Sequence, residues 1–219
     1  MKKSIFLLSI LVAMMFAVEV YAEAPKFGIG ARAGYNSYRN GSMEVSVAGF
    51  GVAGNVDYSN NGAWTFGFNG ILQINKYISA ELGLDFINSS KNEFTVAGTS
   101  WKAGEIKQMP ITLTAQFHYP VGIFSPYVGL GLGYYIRSYD KDNTFFNPAA
   151  DVSVDNGLGY HANAGSDIFL TKDRNLALNV DLKYVWAKTD ITAAAGAAKL
   201  VGSMNLDSFL VNFGIKYFF

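Results

Sequence analysis

The sequence contains no cysteine, only two histidines and five prolines among its 219 residues. Without cysteine there can be no disulfide framework, no thiol nucleophile and no zinc site built on thiolates. The two histidines, His118 and His161, lack the spacing of a HExxH motif, so no metal or other cofactor is expected. No G-x-S-x-G nucleophile elbow is present either, and no enzymatic activity is expected. Charge is scarce, at 16% of residues with equal numbers of each sign, which gives no basic footprint for nucleic acid. After the first 22 residues, no apolar run reaches the ~18 residues that a membrane-spanning helix needs.

What is abundant points elsewhere. Half of the residues are hydrophobic, 15% are aromatic and 23 are glycine, a mixture that suits strands and turns better than helices. The apolar run lies at the start, in MKKSIFLLSILVAMMFAVEVYA: Lys2 and Lys3, apolar residues from Ile5 to Val18, then Val20 and Ala22 in the small-residue pattern of a cleavage site. Residues 1–22 are therefore expected to be a secretory signal peptide, the rival reading being an uncleaved anchor. Residues 23–219 then hold fifteen basic and sixteen acidic residues.

The mature region alternates. Phe209, Val211, Phe213, Ile215, Tyr217 and Phe219 fall on one face of an extended segment; Ser208, Asn212, Gly214 and Lys216 fall on the other. The same period of two recurs in segments starting at Phe27, Phe66, Ile78, Ile111, Val128, Leu158 and Leu176, eight in all. Short links at Asn75–Lys76, Pro120–Ser125 and Thr171–Arg174 take turns with long segments near 39–64, 89–104, 138–155 and 188–205. An even number of ~10-residue strands, with short and long connections on opposite sides, describes an all-β, eight-stranded antiparallel up-and-down barrel of the bacterial outer membrane with four long extracellular loops. Tyr77, Tyr119, Tyr127, Tyr184, Trp186, Tyr217 and Phe219 gather near strand ends, as interfacial girdles require and a secreted β-sandwich does not. The glycines of GIGARAG and GLGLG lie within strands, where they serve curvature and close packing and not a phosphate cradle.

The stretches MPITLTAQFHYPVGIFSPYVGLGLGYY (Met109 to Tyr135) and DNGLGYHANAGSDIFLTKDRNLALNVDLKYVWAKTDI (Asp155 to Ile191), with the terminal FGIKYFF, resemble the OmpW family of small outer-membrane proteins. The resemblance implies an eight-stranded monomeric barrel in outer-membrane lipid. It also implies recognition of the last strand by the barrel-assembly machinery, with Tyr217 and Phe219 as the signal, and a role in the passage of small hydrophobic solutes.

By parity the interior receives Arg32, Glu81, Asp85, His118, Arg137, His161, Asp181 and Lys183, among others. A barrel of eight strands is just wide enough for side chains to fill, so these groups are expected to form a charge-paired plug. The long segments carry apolar side chains to the outer end, and Phe50, Val52, Trp101, Phe145, Phe146 and Leu200 are the candidates to line a vestibule there. The alternative is that these segments are strand extensions or short helices packed on one another. The functional expectation is a passive conduit for small hydrophobic molecules with lateral exit into the membrane. The competing expectation is a non-transporting surface protein that serves adhesion or acts as a phage or toxin receptor.

Overall fold

The structure, a computed structural model, describes residues 25–47, 51–96, 98–142, 151–195 and 198–219. The segment expected to be a signal peptide lies outside these. Twelve strands are present among the described residues: β1 (Lys26–Tyr38), β2 (Gly41–Val47), β3 (Gly51–Asn60), β4 (Ala63–Gln73), β5 (Ile78–Val96), β6 (Thr99–His118), β7 (Phe124–Lys141), β8 (Asp151–Val154), β9 (Gly157–Phe169), β10 (Leu176–Ala195), β11 (Ala198–Asn205) and β12 (Ser208–Phe218).

Eight of them, β1, β4, β5, β6, β7, β9, β10 and β12, pair antiparallel in sequence order, and β1 closes the ring against β12 from Gly28↔Phe218 to Tyr38↔Ser208. Closure leaves the ring no edge strand, which is what a bilayer demands of a sheet. The eight periodic segments of the sequence are these eight strands. The short links form the turns at one end: Asn75 Oδ1 accepts from the backbone N–H of Tyr77 (2.8 Å) and Ile78 (2.9 Å), and Thr171 Oγ1 accepts from that of Asn175 (3.0 Å).

The four segments expected as long loops are largely strand. β5, β6, β7 and β10 continue past the barrel; β3 pairs with the extension of β5, β8 and β11 pair with that of β10, and β2 joins β3 to β11, the latter through Leu200↔Val47. The result is a second tier stacked on the outer end of the barrel. Breaks at residues 39–40, 61–62, 155–156 and 206–207 mark a common waist.

The two tiers are inverted in polarity. Along β10, Leu178 and Leu182 face outward and Asp181 and Lys183 inward; further up the same strand, Lys188 and Asp190 face outward and Ile191 inward. β5 does the same, with Leu82 outside and Glu81 and Asp85 inside, then Lys91 and Glu93 outside and Phe94 inside. The surroundings explain the switch. Acyl chains bathe the lower tier, where the apolar face belongs outside; water bathes the upper tier, where it must be buried. Exposed aromatics flank the lipid-facing band: Tyr35, Trp64, Tyr160, Trp186 and Phe209 above, and Phe27, Phe117, Tyr119, Tyr217 and Phe219 below. Phe27 and Tyr35 are eight residues apart on one tilted strand, a band height of roughly 20 to 25 Å.

Candidate functional site

From the closed end upward, the lumen is a stack of four layers. The lowest is an apolar floor of Ile71, Phe169, Ala177 and Phe218, with the rings of Phe169 and Phe218 5.8 Å apart. No axial water route is expected through it.

Above the floor lies the charged plug. Arg32 donates from Nε and Nη2 to the two carboxylate oxygens of Asp85, 2.7 Å each, and from Nη1 to Glu81 Oε1, also 2.7 Å. Glu81 reaches Lys216 (3.6 Å), which pairs with Asp167 at 3.0 Å. Asn179 donates to Asp167 (2.7 Å) and to the Tyr127 hydroxyl (3.0 Å), while Tyr127 and Asn163 donate to Asp181 Oδ2 at 3.0 and 2.7 Å. His118 hydrogen-bonds Ser79 (2.9 Å) and Ser125 (3.3 Å), and His161 hydrogen-bonds Thr114 (2.9 Å). Every charged side chain here is almost wholly buried, so each needs this pairing to offset its lost hydration. Lys183 departs from the pattern: it is buried yet makes no ion pair and no hydrogen bond among the described residues.

Room for the plug comes from glycines on the same rows. A Cβ on Gly67 would stand 2.2 Å from Asp85 Oδ1, and one on Gly83 would stand 2.6 Å from Arg32 Nη2.

The third layer is the waist. Arg137, grouped with the plug by parity, belongs here and meets no carboxylate among the described residues. Its Nη1 donates to the carbonyls of Asp155 (3.0 Å) and Lys188 (3.4 Å), its Nε to Gln108 Oε1 (3.3 Å), and Gln108 donates to the Tyr38 hydroxyl (2.7 Å). Parity places a side chain inside but does not give its height, so it could not separate Arg137 from Arg32. Beside this layer is a small cavity of about 10 Å³, lined by Asp85, Ile87, Gln108, Pro110, Lys183 and Leu210, among others. At that height the β5–β6 ladder skips Asp85, Phe86, Met109 and Pro110, resuming at Ile87↔Gln108. Proline has no N–H to give to the neighbouring strand.

The fourth layer is the interior of the upper tier. Met43, Val45, Val56, Phe94, Ile191 and Leu200 surround a cavity of about 140 Å³, almost purely apolar. Of the six vestibule candidates, Leu200 lies here. Trp101 is 48% exposed near the outer end of β6, where it pairs with Phe94 and so shares that residue's face. Phe50, Phe145 and Phe146 lie outside the described residues, and Val52 is described only through its backbone pairing with Ser46. Met43, Val56, Phe94 and Ile191 lie in the long segments expected to carry apolar side chains to the outer end, without being among the six named candidates. Their signal is an alternation that continues past Trp186 with its chemistry reversed.

A family model described as the OmpW family matches residues 24–219. The chain belongs to the OmpW family. Its place is accordingly the bacterial outer membrane, and its fold is that of OmpW-family barrels. Among curated relatives, the outer membrane protein AlkL of Ectopseudomonas oleovorans is 24% identical over 192 residues, spanning 80% of this chain and 74% of that protein. The dibenzothiophene metabolism operon protein PahQ of Pseudomonas aeruginosa is 23% identical over 172 residues, 74% of each. Among solved structures, the outer membrane protein OprG of Pseudomonas aeruginosa superposes with a TM-score of 0.75 at 20% identity, over 90% of this chain and 97% of that one. AlkL in lipid bilayers gives 0.57 at 22% identity, over 87% and 90%.

Proposed function

We propose that this OmpW-family barrel is a passive conduit for small hydrophobic molecules, which enter the apolar chamber of the upper tier and leave sideways into the membrane. The observation that carries the reading is the order of the layers: apolar chamber, small cavity beside an interrupted strand seam, ion-paired plug, apolar floor. A solute descending from the outer end meets apolar walls as far as the waist. Below that it would have to displace paired, buried charges, a cost of several kcal/mol. The β5–β6 seam at Pro110, lacking two rungs of its ladder, is a cheaper exit than the plug. The relatives named for a dibenzothiophene operon, and AlkL itself, fit a role with apolar substrates.

In this reading residues 1–22 are an export signal, Tyr217 and Phe219 are read by the barrel-assembly machinery, and the barrel works as a monomer. Tyr217 and Phe219 stand edge to face at 5.2 Å on the lipid side, accessible before the ring closes.

Proteoliposome uptake tests the proposal. Vesicles carrying the protein should take up a small aromatic hydrocarbon faster than empty ones, and Met43→Asp or Leu200→Asp should abolish the gain while the barrel still resists unfolding in detergent. Uptake equal to that of empty vesicles would overturn it.

A further inference from the structure

The charged residues outside the plug are distributed unevenly between the two ends. Residues 39–64, 89–107, 138–155 and 188–207, at the outer end, hold seven basic and ten acidic side chains. Among the described residues, the end with the short turns holds Lys26, Lys76, Lys172 and Arg174 against Asp173, with Glu23 just before them in the sequence. Three of these cations, Lys26, Lys76 and Arg174, line one open cleft of about 620 Å³ below the apolar floor. Gln73 and Asn75 also line it, and no acidic side chain does; its only carboxylate is the terminus of Phe219.

Arg174 is held in place with unusual care. Its backbone lies in the left-handed region at φ 55°, a conformation that costs a non-glycine residue about 1 kcal/mol. Its guanidinium lies 4.0 Å over the Phe169 ring and donates from Nη1 to the Gly122 carbonyl at 2.9 Å, tying two turns together. Lys76 Nζ sits 5.0 Å over the ring of Tyr77, which stacks on Phe117 in the lower girdle. That girdle marks the headgroup level of the membrane. Lys26 and Lys76 have no ion-pair partner among the described residues. Lys76 therefore stands at headgroup depth, and Lys26 and Arg174 line the same cleft beside it.

We propose that this cleft binds the phosphate of an acidic phospholipid, so that the barrel enriches anionic lipid around its periplasmic end. The acidic outer end makes the preference one-sided: it repels the same headgroups, and it orients the molecule's charge along the membrane normal. The role is independent of solute passage and leaves the apolar chamber untouched.

Spin-labelled phosphatidylglycerol and phosphatidylcholine, compared in phosphatidylcholine bilayers containing the folded protein, give the test. The motionally restricted fraction should be larger for phosphatidylglycerol, and raising salt should reduce the difference. Each cation removed should lower the preference by up to about five-fold, the ratio equivalent to about 1 kcal/mol per charge at an anionic surface. Lys26→Gln with Lys76→Gln should show the loss, and Lys102→Gln with Lys107→Gln at the outer end should not. Equal restriction of both lipids, or a preference unmoved by Lys26→Gln/Lys76→Gln, would overturn the proposal. So would an amide-shift titration in neutral bilayers in which inorganic phosphate binds at Lys26 and Lys76 while no lipid preference is seen, because the ligand would then be a soluble anion.

Discussion

Arg32 on β1 grips Asp85 on β5 with two parallel hydrogen bonds of 2.7 Å across the lumen, at a height where both side chains are cut off from water. A fork-to-fork pair of this kind holds its geometry as well as its charge. Arg32→Met would leave Asp85 and Glu81 facing each other without their shared counter-charge, at a cost of about 3 to 5 kcal/mol. The expected outcome is a clear drop in the urea midpoint of the barrel in detergent, largely recovered when Asp85→Leu and Glu81→Gln are added.

Lys183 should behave in the opposite sense. As a buried ammonium without a direct partner, it bears desolvation that nothing nearby offsets fully. Lys183→Met keeps most of the volume and removes the charge. The urea midpoint should stay level or rise, by about 1 kcal/mol or more.

Gly67 is expected to tolerate no side chain larger than hydrogen. A Cβ there would fall 2.2 Å from Asp85 Oδ1 and 2.6 Å from the Leu84 carbonyl, one of which is backbone and cannot step aside. Gly67→Val should cost about 1 to 3 kcal/mol and lower the yield of heat-modifiable, folded barrel on gels. Gly70, with open space around its would-be Cβ on the lipid side, should accept Val with little change.

Tyr58 joins β3 to β11 without belonging to the barrel. Its hydroxyl donates to the Asn205 carbonyl and accepts from the Asn205 N–H, 3.0 Å each. Tyr58→Phe removes both bonds, about 1 kcal/mol each, from the upper tier alone. Hydrogen exchange should quicken in β2, β3 and β11 while β1, β4 and β12 keep their protection.

Much of the barrel could be read from residue order, because a strand that meets lipid on one face and a packed lumen on the other must alternate with period two. Leu178, Leu182 and Trp186 against Asp181 and Lys183 leave no other reading of β10. The vestibule was harder. A register shift in the β5–β6 ladder between Asn92 and Glu93 sets Trp101 opposite Phe94, on the same face, a placement that no residue count anticipates. Met43, Val56 and Phe94 lie in segments whose apolar character is plain, but which of their side chains turn inward depends on strand pairing in the upper tier.

The order of side chains along the chain was enough to determine the eight spans, their lipid-facing rows, the aromatic ends and the set of charges inside, since all of these depend on local period and on the medium at each face. Which charge meets which, the height of Arg137 above the plug, the isolation of Lys183 and the gap at Pro110 were decided only by the closed ring. Those relations depend on strand register and stagger across residues about 50 apart in sequence, and alternation carries no information about either.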